Sequence, residues 1–130
     1  ILNILFTSNW IQNKQKDFFE PFGITGQQYN ILRILRGQHP NRISGAEIKS
    51  RMLDKHSDVS RLLDRLLGKK LVTRTPCPND KRASDIGISE TGLSLLKALD
   101  EKISSLDTRL ISLSALEAKQ LCELLDRCRD

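Results

Sequence analysis

The chain has 130 residues, with 21 Lys and Arg against 16 Asp and Glu, and a formal net charge of +5. Its 38% hydrophobic and 28% charged residues are typical of a globular protein and exclude intrinsic disorder. The apolar run at residues 1–6 is much shorter than the ~20 residues of a membrane span and lacks the flanks of a signal peptide. Three cysteines in no framework pattern favour a reducing compartment. We therefore expect one cytoplasmic domain and, since residue 1 is Ile, native residues before it.

The positive charge is concentrated in one third of the chain. Residues 42–82 contain 11 basic and five acidic groups, a net charge of +6, and the remainder contains ten basic and eleven acidic groups. A basic block beside a near-neutral remainder is the electrostatic footprint of a polyanion partner, most often nucleic acid. A solvated basic face without a partner is the alternative.

Start and stop signals predict the first three helices. Apolar residues at helical spacing indicate a helix within residues 1–20, which Pro21 and Gly23 end. The S/T-x-x-E/Q spacing of a capping box then occurs twice, at Thr25 with Gln28 and at Ser44 with Glu47, and each predicts a helix start. We expect Gly37 just past the end of the second helix. The apolar face predicted for the third helix consists of Ala46, Ile48 and Leu53.

Two helices and a β-ribbon are predicted next. Four residues at core spacing indicate a helix that starts near Asp54: Val59, Leu62, Leu63 and Leu66. The β-prone segments 71–75 and 83–88 flank turn-forming residues 76–82, a pattern that predicts a two-stranded ribbon with a basic loop. Ser89 is the predicted cap of a further helix, whose apolar residues at 96, 99, 103, 106 and 110 form a heptad seam. Ser114 and Glu117 form a third capping box, which opens the last helix.

The order of elements over residues 25–89 matches a winged helix-turn-helix. The helix at 45–53 braces the one at 55–67, whose outward side chains we predict to be Ser57, Ser60, Arg61 and Arg65. A helix fits the major groove of B-DNA, where base edges are distinguishable. The loop at 76–82 is the predicted wing, with Lys81 and Arg82 near its tip, where an Arg gains from the negative potential of a narrow minor groove. We expect Lys69 and Arg74 at phosphates or on plain surface.

The sequence resembles the MarR family of bacterial transcriptional regulators over essentially all 130 residues. The stretches that carry the resemblance are DVSRLLDRL at 58–66, LVTR at 71–74, PNDKRA at 78–83 and ISETG at 88–92. The resemblance implies a mainly α fold with a small β-wing. In this arrangement a winged helix-turn-helix at 25–89 lies between dimerisation helices at 1–24 and 90–130.

The resemblance also implies a function and roles for wing residues. A homodimer would bind double-stranded DNA at a pseudo-palindromic operator, most often as a repressor. Arg82 would enter the minor groove, Asp80 belongs to its loop motif, and Asp64 would lie near Arg82 and hold the wing against the recognition helix. Lys70 stands where family members usually have glycine, so either Gly68 closes the helix early, or Lys70 accepts a left-handed conformation, or the turn differs.

By the same resemblance, a small aromatic or anionic effector would bind between the dimerisation and winged regions and release the DNA. Aromatic faces and one cation make five residues the candidates for its pocket: Trp10, Phe18, Phe19, Tyr29 and Arg36. Ordinary packing in the core and in the dimer is the alternative for these side chains.

Other classes of function have little in the sequence to support them. Two His, three scattered Cys and the lack of a Gly-rich phosphate loop give no basis for an enzyme, a cofactor or a metal site. Cys77 lies between two prolines, where we expect it to be exposed to oxidants, although reactivity requires a lowered pKa. The alternative function is a winged helix that contacts protein or RNA without reading a DNA sequence.

Overall fold

The computed structural model describes residues 1–110 and 112–129, including their side chains except at 80–83 and 105–110. Ile1–Asp100 and Glu101–Asp130 form two compact units. The described part is mainly helical with one small antiparallel sheet, as the sequence predicts. No helix among the described residues is both long and apolar enough to cross a membrane.

The first unit begins with two helices that a tight turn separates. Helix α1 (Leu2–Phe19) continues into a 3₁₀ turn (Glu20–Phe22), and Gly23 then adopts the left-handed conformation with φ of 67°. Helix α2 (Gly26–Gln38) starts at the predicted capping box of Thr25 and Gln28. Gly37 lies inside α2, which ends at Gln38, so the prediction that Gly37 follows the end of the helix was wrong by about two residues.

The helix-turn-helix itself differs from the prediction at its turn. Helix α3 (Gly45–Arg51) starts at the capping box of Ser44 and Glu47, as predicted, but α4 (Val59–Gly68) starts about five residues later than expected. Asp58 caps α4 by accepting a hydrogen bond from Arg61 N at 3.1 Å. Leu53, which we expected in the core, is 88% exposed, and Ala46 is exposed as well. Met52 takes the core position, because α3 ends at Arg51 and the chain leaves the helical periodicity there.

The β-structure has one strand more than predicted. Strands β2 (Val72–Cys77) and β3 (Asp80–Ile88) form a hairpin around Pro78 and Asn79, so most of the predicted wing loop at 76–82 is strand. Strand β1 (Ile43–Ser44) pairs antiparallel with β3, with Ile43 opposite Ile86, which gives the order β1-β3-β2. Two residues are too short for an alternating pattern to show, so the sequence carried no signal for β1.

The core lies between the helices and one face of the sheet. Its most buried side chains are Ile31, Leu32, Leu35, Ile48, Leu66, Ile86, Leu96 and Leu99. Helix α5 (Glu90–Leu110) begins directly after Ser89 in the chain. Ser89 Oγ accepts a hydrogen bond from Gly92 N at 3.0 Å, as the predicted cap requires. The seam positions 106 and 110 lie outside the residues whose side chains are described.

The second unit contains helix α6 (Ala115–Arg127), which starts at the predicted capping box. Ser114 N donates to Glu117 Oε2 at 2.8 Å, and Glu117 N donates to Ser114 Oγ at 3.3 Å. Hydrogen bonds from the Ser114 side chain and backbone lower the pKa of the Glu117 carboxyl. Large apolar side chains remain exposed along α6, namely Leu116, Leu121 and Leu124.

Candidate nucleic-acid interface

Helix α4 has one buried stripe and one polar, exposed face. Val59, Leu62, Leu63 and Leu66 are buried, as the predicted periodicity requires. The predicted outward residues Ser60, Arg61 and Arg65 are exposed together with Asp64. At about 100° per residue, Arg61 and Asp64 point directly away from the core, and Ser60 and Arg65 lie on opposite flanks. The exposed face thus presents two guanidinium groups one helical turn apart.

Ser57 is a correction to the predicted surface. It precedes α4 and is 4% exposed, and its Oγ accepts a hydrogen bond from Gln27 Nε2 at 3.3 Å. The expectation that it faces outward was wrong because the helix starts at Val59, which leaves Ser57 in the turn before it. We therefore remove the Ser57 side chain from the candidate interface.

The start of β2 is tied to the exposed face of α4. Arg74 Nη2 donates to Asp64 Oδ1 at 3.3 Å, and both side chains are largely exposed. The resemblance placed Asp64 near Arg82, but the side chains of Asp80, Lys81 and Arg82 lie outside those described. Asp64 thus contacts the wing through Arg74. An exposed pair of this kind contributes at most about 1 kcal/mol, so it orients the two elements more than it stabilises them.

The structure distinguishes between the alternatives that the sequence left open for the end of α4. Lys70 has φ of 59°, the one positive φ of a non-glycine residue in the described part of the chain, while Gly68 is helical. Lys70 N donates to Leu67 O at 2.9 Å and Leu71 N donates to Leu66 O at 3.1 Å, the hydrogen bonds of a Schellman motif. Lys70 therefore accepts the left-handed conformation. Since β2 begins at Val72, this turn sets the direction in which the wing leaves α4.

Lys69 makes contacts within the protein. Its Nζ donates to the carbonyl oxygen of Gly23 and, at 3.2 Å, to Gln28 Oε1. We predicted Lys69 to lie at a phosphate or on plain surface. Lys69 is exposed, and the structure places its ammonium group against the turn between α1 and α2, so it links the end of α4 to that turn.

A shallow crevice lies between α3 and the start of α4. It has a volume of about 510 Å³, and its lining includes Lys49, His56 and Ser60. In the sequence, Lys49 is one of the basic residues of the segment 42–82, and no motif predicts that it lies at the candidate interface. The capping box at Ser44 predicts where α3 begins, and counting along the helix from that start would have predicted the face on which Lys49 lies.

A larger cavity of about 910 Å³ lies between α1, the start of α2 and α4. Its lining includes three cationic side chains, Lys16, Arg65 and Lys69, and two carboxylates, Glu20 and Asp54. Hydrogen bonds from the His56 backbone, above all, and from the side chains of Ser57 and Gln27 lower the pKa of the Asp54 carboxyl. Charged groups of both signs therefore line the cavity among apolar surface.

The predicted effector residues do not line this cavity. The Tyr29 ring lies 4.8 Å from that of Phe19, and Phe18 meets Phe19 edge-on at 5.1 Å. Burial raises the pKa of the Tyr29 hydroxyl. Arg36 Nη1 donates to Asp100 Oδ2 at 2.6 Å, a hydrogen bond that raises the pKa of the guanidinium, and Trp10 is partly exposed on α1. Side-chain packing accounts for the contacts of the aromatic rings, and an ion pair accounts for the contact of Arg36 with Asp100.

The other candidate chemistry concerns metal ligands and thiols. Within the described residues, no three His, Cys, Asp or Glu side chains are grouped as a metal site requires. Cys77 is half-buried in β2, so it is less accessible than expected, whereas Cys122 on α6 and Cys128 just after α6 are exposed.

Comparisons with known proteins match the part of the chain that contains the candidate interface. A family model described as the MarR family matches residues 22–83. The crystal structure of a MarR transcription factor from Planctomyces limnophilus is 32% identical, with a TM-score of 0.78 over 98% of this chain and 91% of that one. A mutant MarR from E. coli complexed with operator DNA is 26% identical, with a TM-score of 0.84 over 96% and 89%. The HTH-type transcriptional regulator PapX of Escherichia coli is 27% identical over 68% of this chain, and the match spans about half of PapX, 54%.

Proposed function

The chain belongs to the MarR family of DNA-binding transcription regulators, and we propose that it is a cytoplasmic, homodimeric repressor that binds a pseudo-palindromic operator. The observation that carries the proposal is the exposed face of α4, which presents Ser60, Arg61 and Arg65 within the segment that the family model matches. The solved complex of E. coli MarR with operator DNA supports this assignment.

Helix α4 enters the major groove in this proposal. Arg61 points away from the core and reads a base edge, for which bidentate contact to guanine is the commonest geometry. Arg65 and Ser60 on the flanks contact the groove walls, and Lys49 and His56 contact the phosphates beside the crevice. Lys81 and Arg82 in β3 contact the minor groove, and Arg74 holds the wing to α4 through Asp64.

A second copy of the chain is the proposed partner of the terminal helices. Leu2 is 83% exposed and Phe6 73% exposed on α1, and Leu116 is 66% exposed on α6. Exposed apolar patches of this kind mark interaction sites in most proteins. We assign residues 1–24 and 90–130 to dimerisation and 25–89 to DNA binding. A twofold dimer then places its two α4 helices about one turn of B-DNA apart.

Relief of repression by a small molecule is proposed to start in the 910 Å³ cavity. Its size is within the range of about 300–1,000 Å³ that small-molecule sites have. Lys16, Arg65 and Lys69 supply positive charge for an anionic effector. A ligand that prefers a conformation in which α4 is wrongly placed for DNA lowers operator affinity by that preference.

Selection of bound duplexes from a randomised pool tests the proposal. We expect an inverted repeat with half-sites about 10 bp apart, and affinity for it that falls steeply between two salt concentrations. Uniform, salt-sensitive binding without an enriched sequence would instead show a non-specific binder. Lack of binding to any duplex would favour a winged helix that contacts protein or RNA.

A further inference from the structure

The turn before α4, residues 53–58, is held by side chains of α2. Gln27 Nε2 donates to Asp54 Oδ2 at 3.0 Å and to Ser57 Oγ at 3.3 Å. Asn30 Oδ1 accepts a hydrogen bond from Leu53 N at 3.0 Å. Gln27 and Asn30 are three residues apart and therefore lie on one face of α2. The position of the turn thus depends on side chains that precede their partners by more than twenty residues.

The last turn of α4 is tied to the same part of α2. Lys69 Nζ donates to Gln28 Oε1 at 3.2 Å, and Gln28 Oε1 also accepts the hydrogen bond from Thr25 N at 3.1 Å that caps α2. Gln28 is buried, so this contact is fixed by the core. Both ends of α4 are therefore connected to the first two turns of α2.

We propose that Gln27 and Asn30 are positioning residues for sequence readout. They hold the turn 53–58, and through it the start of α4, in the position that base contacts require. This inference rests on the proposed entry of α4 into the major groove. Neither side chain contacts DNA in the proposal, because both are engaged with the turn on the side of α4 that faces α2.

Base contacts and phosphate contacts respond differently to a shift of α4. A hydrogen bond to a base edge needs its donor within about 2.7–3.2 Å of the acceptor and near-linear geometry. Contacts of flexible Lys and Arg side chains with phosphates are electrostatic and carry no sequence information. A loosened turn therefore lowers affinity for the operator but leaves non-specific affinity and its salt dependence unchanged.

The experiment compares affinity of the full chain for its selected duplex and for a scrambled duplex of equal length. Gln27→Ala removes both donated hydrogen bonds, and Asn30→Leu removes the acceptor at similar volume. We expect each to lower the ratio of the two affinities about tenfold, the scale of one to two lost hydrogen bonds. Asn30→Asp keeps an acceptor oxygen for Leu53 N, so it should restore the ratio to within about twofold of the parent.

Gln38→Ala is the matched control, since Gln38 is an amide at the opposite end of α2 and does not line the cavity. It should leave the ratio unchanged. Gln27 is exposed, so its truncation leaves the core intact and decides the question even if Asn30→Leu fails to fold. Unchanged ratios for Gln27→Ala and Asn30→Leu, with a parent that discriminates, would overturn the positioning role. A parent that does not discriminate between the duplexes would instead overturn the proposed function.

Discussion

Lys70 carries a conformational cost that glycine would remove. Its φ of 59° places Cβ close to the following carbonyl, which costs a non-glycine residue roughly 1–2 kcal/mol. The extra freedom of glycine in the unfolded chain offsets part of that gain. We expect Lys70→Gly to raise the free energy of unfolding by about 1 kcal/mol, measured by urea denaturation. Lys70→Ala is the control, because alanine keeps the Cβ. Equal stability of the two variants would contradict a left-handed Lys70.

Arg61 and Lys69 are both cationic residues of the α4 segment, and we expect their replacement to have different effects. Arg61→Ala should lower operator affinity by about 1–3 kcal/mol at the base pair it contacts, measured by binding to duplexes altered one pair at a time.

Lys69→Ala should lower the free energy of unfolding by about 1 kcal/mol, because it removes hydrogen bonds to Gly23 and Gln28. A salt slope that falls by about one unit in Lys69→Ala would show instead that Lys69 contacts a phosphate.

At the scale of elements, the junction of α4, β2 and α5 is tightly packed. A Cβ on Gly92 would overlap the carbonyl oxygen of Leu71 and lie 2.8 Å from Ile88 Cγ1. Backbone cannot move aside as a flexible side chain does, so we expect Gly92→Ala to destabilise the protein by about 2–3 kcal/mol. Thermal unfolding followed by circular dichroism measures the loss.

Gly37→Ala is the matched control for that substitution. Gly37 lies inside α2, and a Cβ there would meet no atom within 4 Å. Alanine is the better helix former, so Gly37→Ala should raise stability by about 0.5–1 kcal/mol. Destabilisation of both variants by a similar amount would contradict the close contact assigned to Gly92.

Local signals predicted the starts of α2, α3 and α6, and long-range contacts explain part of what the sequence could not reveal. Thr25, Ser44 and Ser114 each bond to a residue three positions later, so their spacing alone predicts the cap. Ser57 is buried in the turn before α4, where Gln27, thirty residues earlier, bonds to it, and no periodicity within the segment records that contact. The candidate effector residues were predicted from aromatic faces and one cation, and none of them lines the 910 Å³ cavity, whose position depends on contacts between separate helices.

At the scale of the whole molecule, the exposed apolar residues of the terminal helices are the contact surface of the proposed homodimer. We expect the double variant Leu5→Gln and Phe6→Gln to weaken the homodimer at least about a hundredfold, because each lost apolar side chain counts once in each copy. Sedimentation velocity at several concentrations measures the dissociation constant. The monomer should bind a duplex with one half-site as the parent does, but should lose the added affinity for an inverted repeat.

Leu53→Gln tests whether this effect belongs to the terminal helices. Leu53 is 88% exposed, so the control also replaces an exposed apolar side chain with Gln, but in the turn before α4. It should remain dimeric and should keep the preference for an inverted repeat over a single half-site. If the α1 double variant also remained dimeric, the apolar face of α1 would not be the dimer interface. If both variants dissociated, general loss of apolar surface would explain the change, and the assignment of residues 1–24 to dimerisation would lose its support.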